Sequence, residues 1–577
     1  MGETELNAEK VIEFFYNKLD DSDFAKFMKG NDREVLKKDL KSLKEIVVDK
    51  KNKNYFHDLI KLCQLVWKEL FVSAMSYIDA DCTGFEALTT YFDKFAEFEE
   101  LLYSTDDFYR DHTTHVLWTY FLVEWILKKL LEVGLKDDFP YYVQGVDIAS
   151  NYLDNSKNAV EELYKKSFAN NSNQSPYYLL EKILKKKSVD SQKDFGCLKI
   201  NEFYNLIKSD IDLLSNKPNW EKILRSYEFL KQSMKIVDLQ QAVICVTFLC
   251  HDLGYPLKRI TKISKMISDM LKNFHAKETA KHVFSIKGGA KGYLNEIINF
   301  ISGNFAFTRD CKLIFKKDQP IYMNFLIDSE TFEHGLMSAF LLSQKIQSML
   351  ADSVNINTEL DIEDIDICSS ISKLRILKAI ALHTCARMKI SNLRGLDDLL
   401  IFVDFIEEFS RMTRASLLGT RIDEFCDTFI NIELDEKKII NFTLKYKFYK
   451  VRPTGLEPEL TFKGKAEFIK RHFNFIDFPF KFKLIVIDPK KDINEKNNTK
   501  NEKNPLKEVK INKCSDNNSN SIKKYILIYK NNDIIIKVDG FGSKENNMEK
   551  QSELEKFVKK DNPNFIINQT KNPKNDK

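Results

Sequence analysis

Residues 242–256 read AVICVTFLCHDLGYP, the most apolar helical run of the chain, and it ends directly on a histidine and an aspartate. From Ala242 to Cys250 only Thr247 is polar. A helix built from these residues has no face to give to water and must lie inside the protein. Burying an imidazole and a carboxylate at the end of such a helix costs desolvation energy unless something cationic compensates it. Neighbouring residues at a helix end point about 100° apart, so both can turn toward one cation. Imidazole nitrogen and carboxylate oxygen are good donors for first-row divalent metals. Gly254 permits a tight exit, and Pro256 is expected to stop any return to helix. The dipeptide itself is unspecific, and His57-Asp58 is a second copy. That one runs without a break into LIKLCQLVW and reads as a helix surface.

Outward from this helix, three more segments place a histidine in or beside an apolar run. RDHTTHVLWTYFLVEWIL (110–127) carries His112 and His115 three residues apart, on one face of a helix that is otherwise apolar and aromatic. FEHGLMSAFLL (332–342) sets His334 at the mouth of another, and ILKAIALHTC (376–385) sets His383 at the end of a third. Taken singly, each reads as a core histidine satisfied by a hydrogen bond. Taken together they match the way a helical bundle projects ligands into its centre.

The order of these residues resembles that of the HD superfamily of metal-dependent phosphohydrolases: a His, then His-Asp, then two further His in two-metal members, then a final Asp. Here the order is His115, His251, Asp252, His334, His383 and Asp404, the last in DLLIFVDFIEEFSR (398–411). The resemblance covers about residues 100 to 430. It implies a mainly α fold, an HD-domain helical bundle, in which His115, His251, Asp252 and Asp404 hold one divalent ion. It further implies that Asp252 bridges to a second ion held by His334 and His383, the ions being Mn, Fe, Mg or Zn. His112 is the rival of His115, which lies deeper in the apolar helix. Asp397, Asp398 and Asp423 are the rivals of Asp404, which stands within an apolar stripe. The Gly254-Tyr255-Pro256 string abuts the His-Asp, and the chain has no His-His, so the cyclic-dinucleotide phosphodiesterases named for a GYP motif are not the match.

What the resemblance implies chemically is hydrolysis of a phosphate ester, plausibly a nucleotide or cyclic nucleotide, by a hydroxide bridging two ions about 3.5–4 Å apart. Asp252 is the catalytic residue of that scheme. Lys258, Arg259 and Arg411, close in sequence to ligands, are the candidate cations for phosphate oxygens. His275 and His282 read as surface. SIKGGAKGY (285–293) lacks the spacer and the Lys-Ser or Lys-Thr of a Walker loop, which argues against P-loop chemistry. The other class is a non-catalytic ligand sensor or interaction module on the same scaffold.

Composition sets the limits. At 577 residues the chain exceeds the size at which one hydrophobic core stops growing. The net charge of +4 gives no global field toward nucleic acid or membrane. The excess is local, since residues 491–577 hold 19 Lys, no Arg and 13 acids. That segment lacks arginines and suitably spaced aromatics, so nucleic acid is not the expected partner. The ten cysteines show no Cys-x-x-Cys pair, and a reducing cytosol fits them best. MGETELNAEK lacks the features of a signal peptide, and the apolar runs at 116–127 and 242–250 are too short for a bilayer. A cytoplasmic protein is expected, acting on a phosphorylated small molecule.

The chain is expected to divide into an N-terminal helical region (1–100), the HD-type part (101–430) with a polar insertion at about 136–219, and a small C-terminal β appendage (431–543) that contains a polar linker at 490–520. A polar tail (544–577) is expected to be disordered. Helical spacing in EKVIEFFYNKL and HDLIKLCQLVWKEL carries the first assignment. The runs IINFTLKYKFY, FKFKLIVID and YILIYKNNDIIIKVDG carry the third, with a hairpin at Asn531–Asp533.

Overall fold

The computed structural model describes residues 6–48, 55–80, 85–103, 112–132, 239–260, 263–264, 289–307, 313–343, 359–360, 367–385, 388–390, 393, 395–407, 409, 426–434, 440–448, 458–473, 481–489, 522–530, 533–539 and 544–559. The expected insertion at 136–219, the polar linker 490–520, His275, His282, Arg411 and Asp423 lie outside them. Among the described residues the fold is mainly α, with a five-stranded sheet toward the C-terminus. No helix among them is long and apolar enough to cross a membrane.

Six helices come first: α1 (Ala8–Lys18), α2 (Ser22–Phe27), α3 (Gly30–Val48), α4 (Tyr55–Ile78), α5 (Phe85–Tyr103) and α6 (His112–Glu132). Asn7 caps α1 by accepting from the Lys10 amide at 2.9 Å. The apolar spacing of α1 buries Val11, Ile12 and Phe15, and the Phe15 ring meets Phe24, Tyr120 and Phe121. These helices share their core with the rest of the chain. Trp67 of α4 is fully buried, stacks on Phe71 and Phe92 at 4.8 and 4.1 Å, and donates to the Leu249 carbonyl at 2.8 Å. Tyr91 of α5 donates to the Leu253 carbonyl at 2.7 Å. Between α1 and α6, the buried Glu124 carboxylate accepts from Lys18 on one oxygen and from Gln241 on the other. That pairing explains a charged residue in an otherwise apolar helix.

The apolar run singled out above forms a buried helix over 239–250. Pro256 does not stop the helix as expected: a turn over 251–254 leads into a short helical segment, 255–260, with Pro256 near its start. Proline lacks only a donor that the first helical turn leaves unpaired in any case. Further helices follow at Gly289–Ile301, Gln319–Glu330, His334–Ser343, Ile367–Leu382 and Leu396–Ile406. A small antiparallel sheet that the helical reading of this middle did not anticipate lies among them, β1 (Gly303–Phe307), β2 (Leu313–Lys317) and β3 (Glu359–Leu360). Its strands are short and lie between strongly periodic helices, which mask a two-residue repeat.

The second sheet runs in chain order, β4 (Cys426–Leu434), β5 (Ile440–Phe448), β6 (Lys481–Pro489), β7 (Ile522–Lys530) and β8 (Asp533–Asp539). All pairs are antiparallel except β5 with β6, and the Pro458–His472 helix lies in the crossover that a parallel pair requires. Strict alternation in β5 turns Phe442, Leu444 and Tyr446 inward, where Phe442 and Phe482 pack on Phe402 of the Leu396–Ile406 helix. The expected disordered tail begins instead as a helix, Lys544–Lys559. Leu554 is fully buried, and the Glu459 carboxylate pairs with Lys550 and Lys463. One apolar anchor and neighbouring charges order a segment too polar to order itself.

Replacing Trp67 by Ala removes a stacked, hydrogen-bonded ring that joins α4 to the 239–250 helix. The expected loss is about 3–5 kcal/mol of unfolding free energy, read from the denaturant midpoint.

Candidate metal centre

Three of the candidate ligand histidines are set in place by hydrogen bonds at the ends of their helices. In α6 the buried Glu99 carboxylate, reaching over from α5, accepts from the His112 amide at 2.7 Å and from the Thr113 amide at 2.9 Å. It caps the helix and fixes its rotation, so His115, one turn on, faces inward and is fully buried. His251 ends the 239–250 helix with its Nδ1 2.8 Å from the Phe248 carbonyl, and His383 ends Ile367–Leu382 with its Nδ1 2.6 Å from the Ile380 carbonyl. In both, a backbone acceptor takes the Nδ1 proton and leaves Nε2 as the donor atom for a metal. The His383 helix is itself tied to the end of α4, where Lys373 donates to Asp79 at 2.5 Å.

Two glycines let these segments meet. A Cβ on Gly254 would lie 2.5 Å from the Ser338 nitrogen and 2.6 Å from the Met337 Cβ; one on Gly335 would lie 2.6 Å from the Ile380 oxygen and 2.9 Å from His383 Nδ1. The role of Gly254 is thus close approach of the His-Asp turn to the His334–Ser343 helix, and its amide donates to Ser338 Oγ at 2.7 Å. Phe332, two residues before His334, has φ 52°, a strained value for an aromatic residue, in the corner that turns the chain into this helix.

The six predicted ligands converge. Asp252 stands at the centre with its two oxygens divided between two sets of imidazoles. Oδ2 lies 3.4 Å from His251 Nε2 and 3.9 Å from His115 Nε2, whereas Oδ1 lies 3.4 Å from His334 Nε2 and 3.7 Å from His383 Nε2. Asp404 closes the first set, its Oδ1 being 2.8 Å from His115 Nε2 and 3.8 Å from His251 Nε2. Donor atoms around one ion with bonds of about 2.1 Å stand roughly 3.0–3.4 Å apart, so both sets are close to coordinating spacing. The residues also fit a metal by what they lack: His251 Nε2 and His383 Nε2 are buried and have no hydrogen-bond partner among the described residues. These groups could hold metal ions as two triads that share Asp252, His115–His251–Asp252 and Asp252–His334–His383.

The charges in this cluster are set by one another. Burial works against a charged imidazole at His251, but the carboxylates of Asp252 and Asp404, with the Phe248 carbonyl, raise it to about 9. Burial also disfavours ionised Asp252, yet the surrounding imidazoles, His251 foremost, hold its carboxyl well below the usual range. Asp404 is held down in the same way by His115 and His251. Burial pushes the His334 imidazole well below its ordinary value.

The rivals among the described residues stand elsewhere. His112 turns from the cluster, with its Nδ1 3.1 Å from Glu99 and its ring stacked on Tyr255 at 3.8 Å. Asp404, not Asp397 or Asp398, carries the contacts to His115 and His251. His57 is exposed on α4, as its context suggested. Two of the three proposed phosphate-binding cations lie among the described residues, and both are engaged: Lys258 pairs with Glu333 at 2.5 Å, and Arg259 donates to the Tyr255 hydroxyl at 2.5 Å with its guanidinium over the ring. Sequence reasoning missed Glu99, Glu333 and Glu407, the last of which contacts His115 Nδ1. Only Glu407 left a signal, a buried-looking acid three residues after Asp404 and so on the same helical side.

No protein-family model, curated protein or solved structure matches the chain.

Elemental analysis of the purified protein is expected to find two divalent ions per chain. Asp252→Ala should lose both, whereas His383→Ala should lose one. With the metal stripped by chelator, a second outcome follows from His251. A histidine whose folded value is raised stabilises the fold fully below its unfolded value near 6.5. That contribution disappears as pH rises through about 9. The unfolding midpoint of metal-free protein should therefore decline between pH 6.5 and 9, and reloading the metal should flatten the decline.

Proposed function

We propose that this chain is a metal-dependent phosphohydrolase of the HD type, acting on a phosphate ester of the nucleotide or cyclic nucleotide class. The observation that supports the reading is the division of Asp252: one oxygen faces His115 and His251, the other His334 and His383. A carboxylate shared in this way suits two ions, and a single-ion structural site has no use for the second pair of imidazoles. When bound, such a pair of ions supplies an acidified water near neutral pH and positive charge to offset the phosphoryl oxygens.

The chain's own contribution is positioning. His115, His251 and Asp404 would hold one ion and His334 and His383 the other, with Asp252 shared between the two sets. The ligand atoms lie on helices and in one buried turn, on segments locked by Trp67, Lys373 and the two close-packed glycines, so little reorganisation is left to the reaction. Lys258 and Arg259 are the cations available at the margin of the site. In this reading a phosphate oxygen displaces Glu333 from Lys258 and shares Arg259 with the Tyr255 hydroxyl, which makes substrate binding dependent on salt and on both side chains.

The test is a screen of nucleoside monophosphates and cyclic nucleotides for phosphate or monoester release, with manganese, iron, magnesium or zinc restored to stripped enzyme. Turnover is expected only with metal, and Asp252→Ala should reduce it to background. Lys258→Ala should chiefly raise KM, by roughly tenfold if one charged hydrogen bond is lost. Binding of a nucleotide by metal-loaded protein without any hydrolysis would overturn the enzymatic reading in favour of a sensor.

A further inference from the structure

The carboxylate of Glu407 lies behind His115, on the side of the ring away from the other ligands. It is fully buried and contacts His115 Nδ1 through Oε2, while its Oε1 accepts from the Phe409 amide at 2.6 Å. Asp404, three residues earlier, meets Nε2 of the same ring at 2.8 Å. One imidazole is thus held at both nitrogens by acids from one turn of chain. Thr119 Oγ1 also lies 3.4 Å from Nδ1, a longer approach than that of Glu407, and its own proton goes to the His115 carbonyl at 2.7 Å.

The other ligand histidines at helix ends, His251 and His383, have their Nδ1 protons taken by backbone carbonyls three residues earlier. His115 sits within α6, where the carbonyls are used by the helix itself, so a side chain must do this work. We infer that Glu407 is the positioning residue of the first metal position: it holds the proton of His115 on Nδ1 and presents Nε2 to the ion. The inference rests on the metal-centre reading above and assigns a role to a residue outside the ligand set.

The chemistry of the side chain makes the role specific. A carboxylate accepts on both oxygens, which the Phe409 amide and the His115 N–H both require. A glutamine of the same shape has one acceptor and one donor. If its oxygen keeps the Phe409 bond, its amide group faces Nδ1 and drives the proton to Nε2, the tautomer that cannot bind metal. If the oxygen turns to His115, two donors face each other at Phe409. Either choice penalises the first position and leaves the second untouched, because His334 and His383 make no contact with Glu407 among the described residues.

The experiment titrates metal-free protein with manganese, for wild type, Glu407→Gln and Glu407→Asp. Two ions are expected for wild type. Glu407→Gln should weaken one of them by roughly 10–100-fold with the other unchanged, and Glu407→Asp should restore part of the loss. Two ions held by Glu407→Gln with wild-type affinities would overturn this inference alone, whereas no ion held by wild type would overturn the metal-centre reading beneath it. A measurement on zinc-loaded wild type guards against misfolded variants: nitrogen-15 spectra of the histidines should place the His115 proton on Nδ1, and a proton on Nε2 would refute the assignment.

Discussion

Everything at the centre of this molecule is organised around one buried carboxylate. Asp252 is removed from water, and four imidazoles approach its two oxygens from separate helices. A lone carboxylate in that place would be strongly unfavourable. The arrangement is tolerable because each oxygen has partners of its own, and because the charge on Asp252 is what raises its neighbour His251. The glycines at 254 and 335, the Glu99 cap on α6 and the Lys373 anchor to Asp79 all serve to bring partners to this one group. A bulkier residue at either glycine would separate helices whose contact the cluster needs.

Much of this was legible in the sequence because burial and polarity conflict there. A His-Asp at the end of AVICVTFLC, and histidines ending or entering three other apolar runs, are signals that no surface helix gives. The choice of His115 over His112 followed from depth in the helix, and Asp404 followed from its apolar stripe. Other features left no such mark. Glu99 lies on a helix that also carries Glu86, Asp93 and Glu97, none of them buried, and nothing local distinguishes it. The nearness that makes Gly254 necessary is to Ser338, distant in sequence, so the residue read as a turn former and its neighbour Pro256 as a stop. The Pro458–His472 helix stands between runs rich in β-branched residues, and β1 to β3 are too short to show a period. The Lys544–Lys559 helix depends on Glu459 and on one buried leucine, neither of which its own composition reveals.

The C-terminal sheet is joined to the candidate metal centre more closely than the word appendage suggests. Lys465 donates to the Phe405 carbonyl at 2.7 Å, at the residue after Asp404, and the Phe405 ring stacks on Phe468 at 4.5 Å. The Ile390 amide, a few residues past His383, donates to the His472 carbonyl at 2.6 Å. One helix of the sheet region therefore braces the segments that carry two of the six ligands. Leu6, exchanging hydrogen bonds with Ile430 at 3.1 and 3.3 Å, adds a short edge contact from the opposite end of the described chain.

The spread of the ligands along the polypeptide also bears on how the protein is made. His115 and Asp404 touch across a separation of 289 residues, an interval that a ribosome takes ~15–60 s to traverse at ordinary elongation rates. During that time the nascent histidines exist without the carboxylate that completes their set. The cluster is accordingly completed late in the life of the newborn chain, when the 396–407 segment emerges.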